Sequence, residues 1–339
     1  MKFRSIVSRS LGLGCVGSSL VLLLVTAVCF WRQPDRFAAF TVVPIWLWGI
    51  CGLLPLLFAA YFLRTRHSLK VVGLWMITLL FGADEAQVLF HFGKSPPLPG
   101  PAAAYQSKPV VRVITLNCNM GSYGDVSPDL AAWQPDVVLL QEILPHQARR
   151  IATALFGGAG EVRSYRTNAI VTRWKFKKVT VTPSQPDQQA TLRLPNGAEI
   201  EIVNVHLATA ATDLRLWRRS AWVNHRNNRV ARRQELAFTH KLLRTTTDFP
   251  NLPVLFGGDF NAPASDPVFR QLTPDFRDAF AVAGTGWGDT FQRRLPILRI
   301  DHIFATPHFT PVRCRVVVTR HSDHRMVVAD FLTDPPLQP

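Results

Sequence analysis

Two long stretches near the start of the chain carry no charge. Leu11 to Trp31 reads LGLGCVGSSLVLLLVTAVCFW, and Thr41 to Phe62 reads TVVPIWLWGICGLLPLLFAAYF. Each is long enough, as a helix, to cross the roughly 30 Å hydrocarbon core of a bilayer. A third run, Val71 to Phe92, is interrupted by Asp84 and Glu85 after about 13 apolar residues. A cleaved signal peptide is the rival reading of the first run. Its basic start fits, but the apolar run is long and no small-x-small site follows. The expectation is a transmembrane anchor over residues 1–92, of about three helices near 11–31, 41–62 and 71–92.

Loop charge sets the expected orientation. Lys2, Arg4 and Arg9 precede the first run, and Arg64, Arg66 and Lys70 lie between the second and third. Between the first and second stand only Arg32 and Arg36, against Asp35. The N-terminus and the second loop are therefore expected in the cytoplasm. With three spans, the remainder would be periplasmic or extracellular, in a multi-pass protein of a bacterial cell membrane. With two, it would be cytoplasmic. Asp84 and Glu85 are expected near the outer interface of a short or tilted helix. Residues 93–108 are Pro-rich and read as a stiff linker holding the next domain a short distance off the bilayer.

From residue 109 the pattern changes to short β-rich runs alternating with helical ones. VVRVITLNC (110–118), DVVLLQE (136–142), AIVTRW (169–174), PVLFGGDF (253–260), LRIDHIFAT (298–306), VRCRVVV (312–318) and MVVADFL (326–332) read as strands. ATLRLPNGAEIEIVNVHL (190–207) carries Asn196-Gly197 between two such runs, a strong hairpin signal. Asn227 to Arg244 reads as a helix. Hairpins mixed with helix-linked strands imply an α/β domain with mixed sheets over residues 109–335. Beyond residue 106 the chain holds 29 basic and 20 acidic residues, a balance that suits polyanionic partners. Its five cysteines form no C-x-x-C pair and no disulfide framework.

Several predicted strands end in chemically capable residues. The first ends at Asn117, the second in Gln141-Glu142, and the hairpin in Asn204-Val205-His206. VLFGGDFN places Asp259 and Asn261 two apart, on one face of a strand's tip. Asp301 and His302 interrupt an apolar run, and Ser322, Asp323 and His324 precede the last strand. Any one of these has a plain structural explanation, such as a strand-end cap or an Asx turn. Gathering so many carboxylates together is costly unless a metal or mutual pairing offsets the charge.

In order and spacing, VITLNCN, VVLLQE, NAIVTRW, VNVHL, GGDFNA, RIDHIFA and SDHRMV resemble the successive motifs of the endonuclease/exonuclease/phosphatase superfamily, the DNase I-like fold. The resemblance covers about residues 110–332. It implies a four-layer sandwich of two mixed β-sheets flanked by helices, with the site where strand ends meet. It further implies a Mg²⁺-dependent phosphoesterase, with Mn²⁺ as the alternative ion. Glu142 would be the principal metal ligand, with Asn117 beside it. Asp259 would orient and deprotonate the attacking water, and Asn261 would hold a phosphoryl oxygen. His324, held by Asp301, would contact the phosphate. Asp323 would be a further metal-side or proton-transfer carboxylate, and His206 a general acid for the leaving group. Asn168 and Arg173 match a motif but are expected to be structural.

The insert LRLWRRSAWVNHRNNRVARRQ (214–234) interleaves arginines with tryptophans. Arg215, Arg218, Arg219 and Trp217 are the expected substrate contacts. They suit a phosphate backbone with stacked bases, or an anionic bilayer surface. The expected function is thus a membrane-anchored phosphodiester hydrolase, foremost a nuclease. A phospholipid or sphingolipid headgroup phosphodiesterase or phosphatase is the alternative. A catalytically dead tethered binding protein is a third reading, opposed by the intact Glu142, Asp259, Asn261, Asp301 and His324. No protein partner is inferable.

Overall fold

The computed structural model describes residues 2–63, 66–106, 108–181, 187–194, 197–209 and 213–333. It divides into two compact units. One comprises Met1–Phe90 with Ala211–Asn227 and Ser265–Pro267; the other comprises His91–Ala210, Asn228–Ala264 and Val268–Pro339.

The first unit holds α1 (Lys2–Arg32), α2 (Ala38–Thr41), α3 (Ile45–Leu63), α4 (Arg66–Gly82) and α5 (Asp84–Gln87). Among the described residues, the segment Arg9–Arg32 alone is long and apolar enough to cross a membrane by length and composition. The pairs Asp35–Thr41 with Ile45–Tyr61, and Ser68–Gly82 with Asp84–Phe90, reach that length only across bends of 70° and 78°. The third expected helix is therefore broken at Ala83, whereas the second runs unbroken from Ile45 to Leu63 and is preceded by a bend. Pro44 disfavours helix at the residue before it, so α3 starts one residue after the proline. At Ala83 the backbone is extended (φ −92°, ψ 125°), and Asp84 and Glu85 open a new short helix, where acidic residues complement the dipole. Arg64 lies outside the described residues.

The long helices pack through small residues. Ser19 Oγ donates to the Gly52 carbonyl at 2.6 Å, and Trp75 Nε1 donates to Ser19 Oγ at 3.1 Å. A Cβ at Gly52 would sit 2.2 Å from the Trp75 ring, so only glycine admits this approach. Leu23, Leu56, Val71 and Trp75 are buried between the helices, whereas Leu24, Val28, Leu57, Phe58, Met76, Ile77 and Phe81 are exposed.

Among the described residues the second unit is built on thirteen strands: β1 (Val111–Asn117), β2 (Val137–Gln141), β3 (Glu161–Tyr165), β4 (Asn168–Thr172), β5 (Lys175–Val181), β6 (Gln188–Arg193), β7 (Glu199–His206), β8 (Val254–Asp259), β9 (Arg277–Asp278), β10 (Gly284–Thr285), β11 (Asp301–Ala305), β12 (Phe309–Val317) and β13 (Met326–Thr333). They form a seven-stranded sheet, β10-β12-β13-β1-β2-β4-β3, and a six-stranded sheet, β5-β6-β7-β8-β11-β9. Both are mixed. β1 pairs in parallel with β2 and β7 with β8, while β13 and β11 run antiparallel to β1 and β8. The hairpin of β6 and β7 forms with Gln188 opposite Asn204, and Gly197 turns at φ +83°. Asn196 lies outside the described residues.

Alternation along the strands makes the layers. Ile114, Leu116, Val138 and Leu140 pack outward with Leu130 of α6 (Ser127–Ala131) and Ala148 and Ile151 of α7 (Pro145–Phe156). Val203, Val205, Val254 and Phe256 pack outward with Leu236 and Leu243 of α8 (Arg219–Thr246). This helix was expected from Asn227 but begins at Arg219, because no breaker interrupts residues 220–227. The short α9 (Ala279–Ala283) is capped by Asp278, whose carboxylate accepts from Phe280 N–H. The inner faces meet through polar as well as apolar groups. Asn204 donates across the sandwich to the Leu140 and Ala169 carbonyls, both at 3.0 Å, and accepts from Gln141 Nε2 at 2.6 Å. Gln141 and Asn204, expected as strand-end candidates, thus serve as inter-sheet ties. All five cysteines are free.

The Pro-rich segment is not a simple spacer. The buried Arg112 of β1 donates through Nη1 to the carbonyls of Leu98, Gly100 and Trp133, and pairs with Asp330 of β13 at 2.7 Å. Arg313 of β12 pairs with the same Asp330 at 3.1 Å and donates to the carbonyls of Ala103 and Ala104. Residues 98–104 are thereby strapped onto the sheet. Arg173 pairs with Asp136 at 3.2 Å, in keeping with a structural role.

Glu201 of β7 is buried, and burial pushes its carboxyl up to about 7, against hydrogen bonds from Thr191 and Gln189. The folded state therefore binds a proton that the unfolded chain releases. This contribution to stability is full below the ordinary Glu pKa and is lost as pH rises through about 7. The urea midpoint of the metal-free protein is expected to fall between roughly pH 5 and pH 8, and Glu201→Gln to remove part of that fall. An identical pH slope in the variant would contradict the assignment.

Candidate active site

Strand register gathers the polar strand ends. In parallel pairing Asn117 lies opposite Gln141, and His206 opposite Asp259; in antiparallel pairing Asp301 lies opposite Asp259. Glycine permits the close fit behind them. Gly258 has φ +144°, and a Cβ there would sit 2.0 Å from the Val205 carbonyl oxygen. The two turns that follow β2 and β8 hold non-glycine residues in the left-handed region, Glu142 at φ 47° and Asn261 at φ 49°. Such backbone costs about 1–3 kcal/mol and persists where surrounding structure enforces it. At Glu142 the enforcement comes from its carbonyl, which accepts from Met120 N–H at 2.8 Å, and from Ile143 N–H bonded to Thr167 O at 2.9 Å.

Asp259 is almost fully buried and uses its two oxygens differently. Oδ1 accepts from Asn261 N–H at 2.8 Å, closing an Asx turn. Oδ2 accepts from Asn117 Nδ2 at 3.0 Å and lies 3.8 Å from His206 Nε2 and 4.0 Å from His324 Nε2. Asn117 Nδ2 also donates to Glu142 Oε1 at 3.0 Å, while its Oδ1 accepts from Asn119 N–H. Asn117 thus positions both carboxylates. His206 Nε2 stands 3.6 Å from Glu142 Oε1. Asn261 donates its amide to the Leu207 carbonyl, which locks the turn.

His324 lies with Nδ1 at 2.8 Å from Asp301 Oδ2. Burial alone would lower the pKa of the ring, but the charge and hydrogen bond of Asp301, helped by Asp259 and Asp323, outweigh it and raise it to about 10. Burial in turn holds the Asp301 carboxyl above the ordinary Asp range, so the two groups form one buried, hydrogen-bonded pair. Ser322 fixes the loop: its Oγ donates to the Asn117 carbonyl at 2.6 Å and accepts from His324 N–H at 3.0 Å.

Among the described residues, Asp259, Asp301 and His324 bring potential ligand atoms within 4.8 Å of one another. His324 Nδ1 and Asp301 Oδ2 already engage each other at 2.8 Å, so this pair is committed within the cluster. Glu142 is better suited, with a side chain 33% exposed and held by a neutral amide. Its charge and that of Asp259 have no lysine or arginine partner among the described residues, only histidines. Hard carboxylate oxygens with uncompensated negative charge fit a hard divalent cation.

Asp323 is partly buried, with Oδ1 lacking a hydrogen-bond partner, and stands outside the three-residue cluster. His302 is structural: Nδ1 faces Asp278 at 3.2 Å and Nε2 faces the Ala262 carbonyl at 3.1 Å. Arg215, Arg218, Arg219 and Trp217 belong to the first unit, whereas every residue of the cluster belongs to the second. Asp187 escaped the sequence reading. Its Oδ1 accepts from His206 N–H at 3.2 Å and its Oδ2 from Thr239 Oγ1 at 2.5 Å, and burial pushes it up to about 7. It lies in a polar stretch, PSQPDQQ, with no apolar run to mark it as buried.

Known folds resemble this second unit. The mannosyl-6-phosphatase Bt3783 of Bacteroides thetaiotaomicron VPI-5482 shares 17% identity at a TM-score of 0.53, over 66% of this chain and 99% of that one. An endonuclease/exonuclease/phosphatase from Bacteroides vulgatus shares 19% identity at 0.53, over 67% and 100%. D. rerio TDP2 complexed with single strand DNA product shares 18% at 0.51, over 66% and 99%. No curated protein matches the chain. The model of the Endonuclease/Exonuclease/phosphatase family matches residues 114–324, which run from β1 to His324 and so contain every member of the cluster. The match spans more than half of the chain, and the chain belongs to that family of phosphoester-hydrolysing enzymes.

Proposed function

We propose that this protein is a membrane-anchored, divalent-metal-dependent phosphodiesterase whose foremost substrate is nucleic acid. The observation that carries the reading is the convergence of Asn117, Glu142, His206, Asp259, Asp301 and His324, in which Glu142 and Asp259 have no basic partner but histidine among the described residues. Mg²⁺, or Mn²⁺ in its place, would be held by Glu142 with Asn117 beside it, and supplies Lewis-acid polarisation of a phosphoryl oxygen. Asp259 orients the attacking water and takes its proton. His324, fixed by Asp301, contacts the phosphate through its other ring nitrogen, and Asn261 holds a phosphoryl oxygen. His206 gives a proton to the leaving oxygen, and Asp323 is a further proton-transfer carboxylate. The basic surface beyond residue 106 suits a polyanion. The apolar helices carry the anchor, in a multi-pass arrangement with the catalytic unit outside the cytoplasm.

A lipid-headgroup phosphodiesterase is the second reading, favoured by the grouping of residues 211–227 with the helices. The test is the purified full chain with single-stranded DNA, RNA, phospholipid and bis(p-nitrophenyl) phosphate. Hydrolysis of the nucleic acids and the small diester is expected with Mg²⁺, lost with EDTA and restored by added metal. Cleavage of phospholipid alone would move the assignment to the second reading. Hydrolysis that survives EDTA would contradict metal dependence.

A further inference from the structure

Within the first unit, aromatic contacts tie one end of the helices together. Phe30, near the end of α1, meets Phe40 edge-on at 6.5 Å, and Phe40 stacks on Trp48 at 4.1 Å. Trp46, at the start of α3, donates to Glu85 of α5 at 3.0 Å. The end of α1, the start of α3 and the end of α4 with α5 therefore share one end of the unit. At this end Phe37 meets Trp222 edge-on at 5.9 Å, while the Arg36 guanidinium lies over the Phe37 ring.

Trp222 belongs to the Arg/Trp insert, which is folded back on itself. Trp222 Nε1 donates to the Leu216 carbonyl at 2.8 Å, and His225 Nε2 lies 3.1 Å from the Asp213 carbonyl oxygen. This fold turns charge and aromatic surface outward. Trp217 is 80% exposed, and Arg215, Arg218, Arg219 and Arg226 are exposed too. Asp213 is the segment's one acid and is held by the Arg215 fork, leaving a positive excess. At the same end Trp31 is 82% exposed and Phe90 52%.

Resting on the membrane-anchored reading above, we infer that residues 213–227 lie on the bilayer surface and bind acidic phospholipid headgroups. Exposed tryptophans at the end of an apolar helical unit match the membrane–water interface, and neighbouring arginines match the negative potential of anionic lipid. Bases could also stack on Trp217 beside arginines. The packing against Phe37, within the unit whose sides are apolar, is what favours lipid.

The test places p-benzoylphenylalanine at position 217 in the full chain, held in nanodiscs with an oligonucleotide added. The substitution is surface-exposed, so folding is not at stake. Photolysis is expected to give phospholipid adducts, several-fold more in phosphatidylglycerol discs than in phosphatidylcholine discs. Arg218→Ala with Arg219→Ala should erase that preference. Adducts with the oligonucleotide alone, or no adduct, would overturn the inference. Carbonate washing of the source membranes keeps the two readings apart. A chain that stays in the pellet without lipid adducts defeats only the headgroup contact, whereas a chain that is released defeats the anchoring as well.

Discussion

Asp259→Asn is expected to lose about 10²–10⁴-fold in turnover, the usual cost of removing a positioned general base. Size and shape are kept, and the amide oxygen can still accept from Asn261 N–H, so the Asx turn survives. The change falls on Oδ2. In place of a carboxylate facing Asn117, His206 and His324, an amide N–H would face donors and could take no proton from water. Circular dichroism and the melting curve of the variant should match wild type while the rate of diester hydrolysis collapses. Turnover near wild type would return GGDFN to a strand cap.

Asp330→Ala should be the most destabilising single change in the second unit. Asp330 is fully buried and is the shared counter-ion of Arg112 and Arg313. Truncating one partner of a buried ion pair leaves an uncompensated charge and costs about 3–5 kcal/mol. For a domain of this size that is a fall of roughly 6–20 °C in melting temperature. Both arginines also hold the 98–104 strap, so cleavage there by a protease should become faster in the variant. An unchanged melting temperature and unchanged cleavage would mean that the arginines find other partners and the strap is held otherwise.

Where the sequence was informative, a local signal coincided with the tertiary outcome. Asn117, Glu142, His206 and Asp259 stand at the end of an apolar run and His324 just before one, and parallel pairing of β1 with β2 and β7 with β8, with β13 antiparallel to β1, brings these positions to the same ends of the strands. The alternation of strand and helix patterns implied an α/β domain with mixed sheets, and the four layers were what the family resemblance implied. The strap was illegible because its determinants are far apart: Arg112 interrupts an apolar run near the start of the domain, and Asp330 lies 218 residues later. Gln141 and Asn204 carried the same strand-end signal as the site residues but turned inward to tie the sheets. Asp187 acquires its burial from Thr239 on α8, a contact 52 residues away. The breaks before Ile45 and after Gly82 were marked by Pro44 and Asp84, though composition alone made those runs look continuous.

The dependence of turnover on Mg²⁺ concentration, measured for wild type, Glu142→Gln and Asp259→Asn, bears most directly on the metal-dependent mechanism. Glu142 is the carboxylate held by Asn117 and paired with no lysine or arginine among the described residues, so its amide should weaken metal binding more than the chemistry. Wild type should saturate at low Mg²⁺. Glu142→Gln should need far more and recover part of its activity there, whereas Asp259→Asn should stay slow at every concentration. Identical Mg²⁺ curves for wild type and Glu142→Gln, or rescue of Asp259→Asn by added Mg²⁺, would contradict the roles given to these two carboxylates.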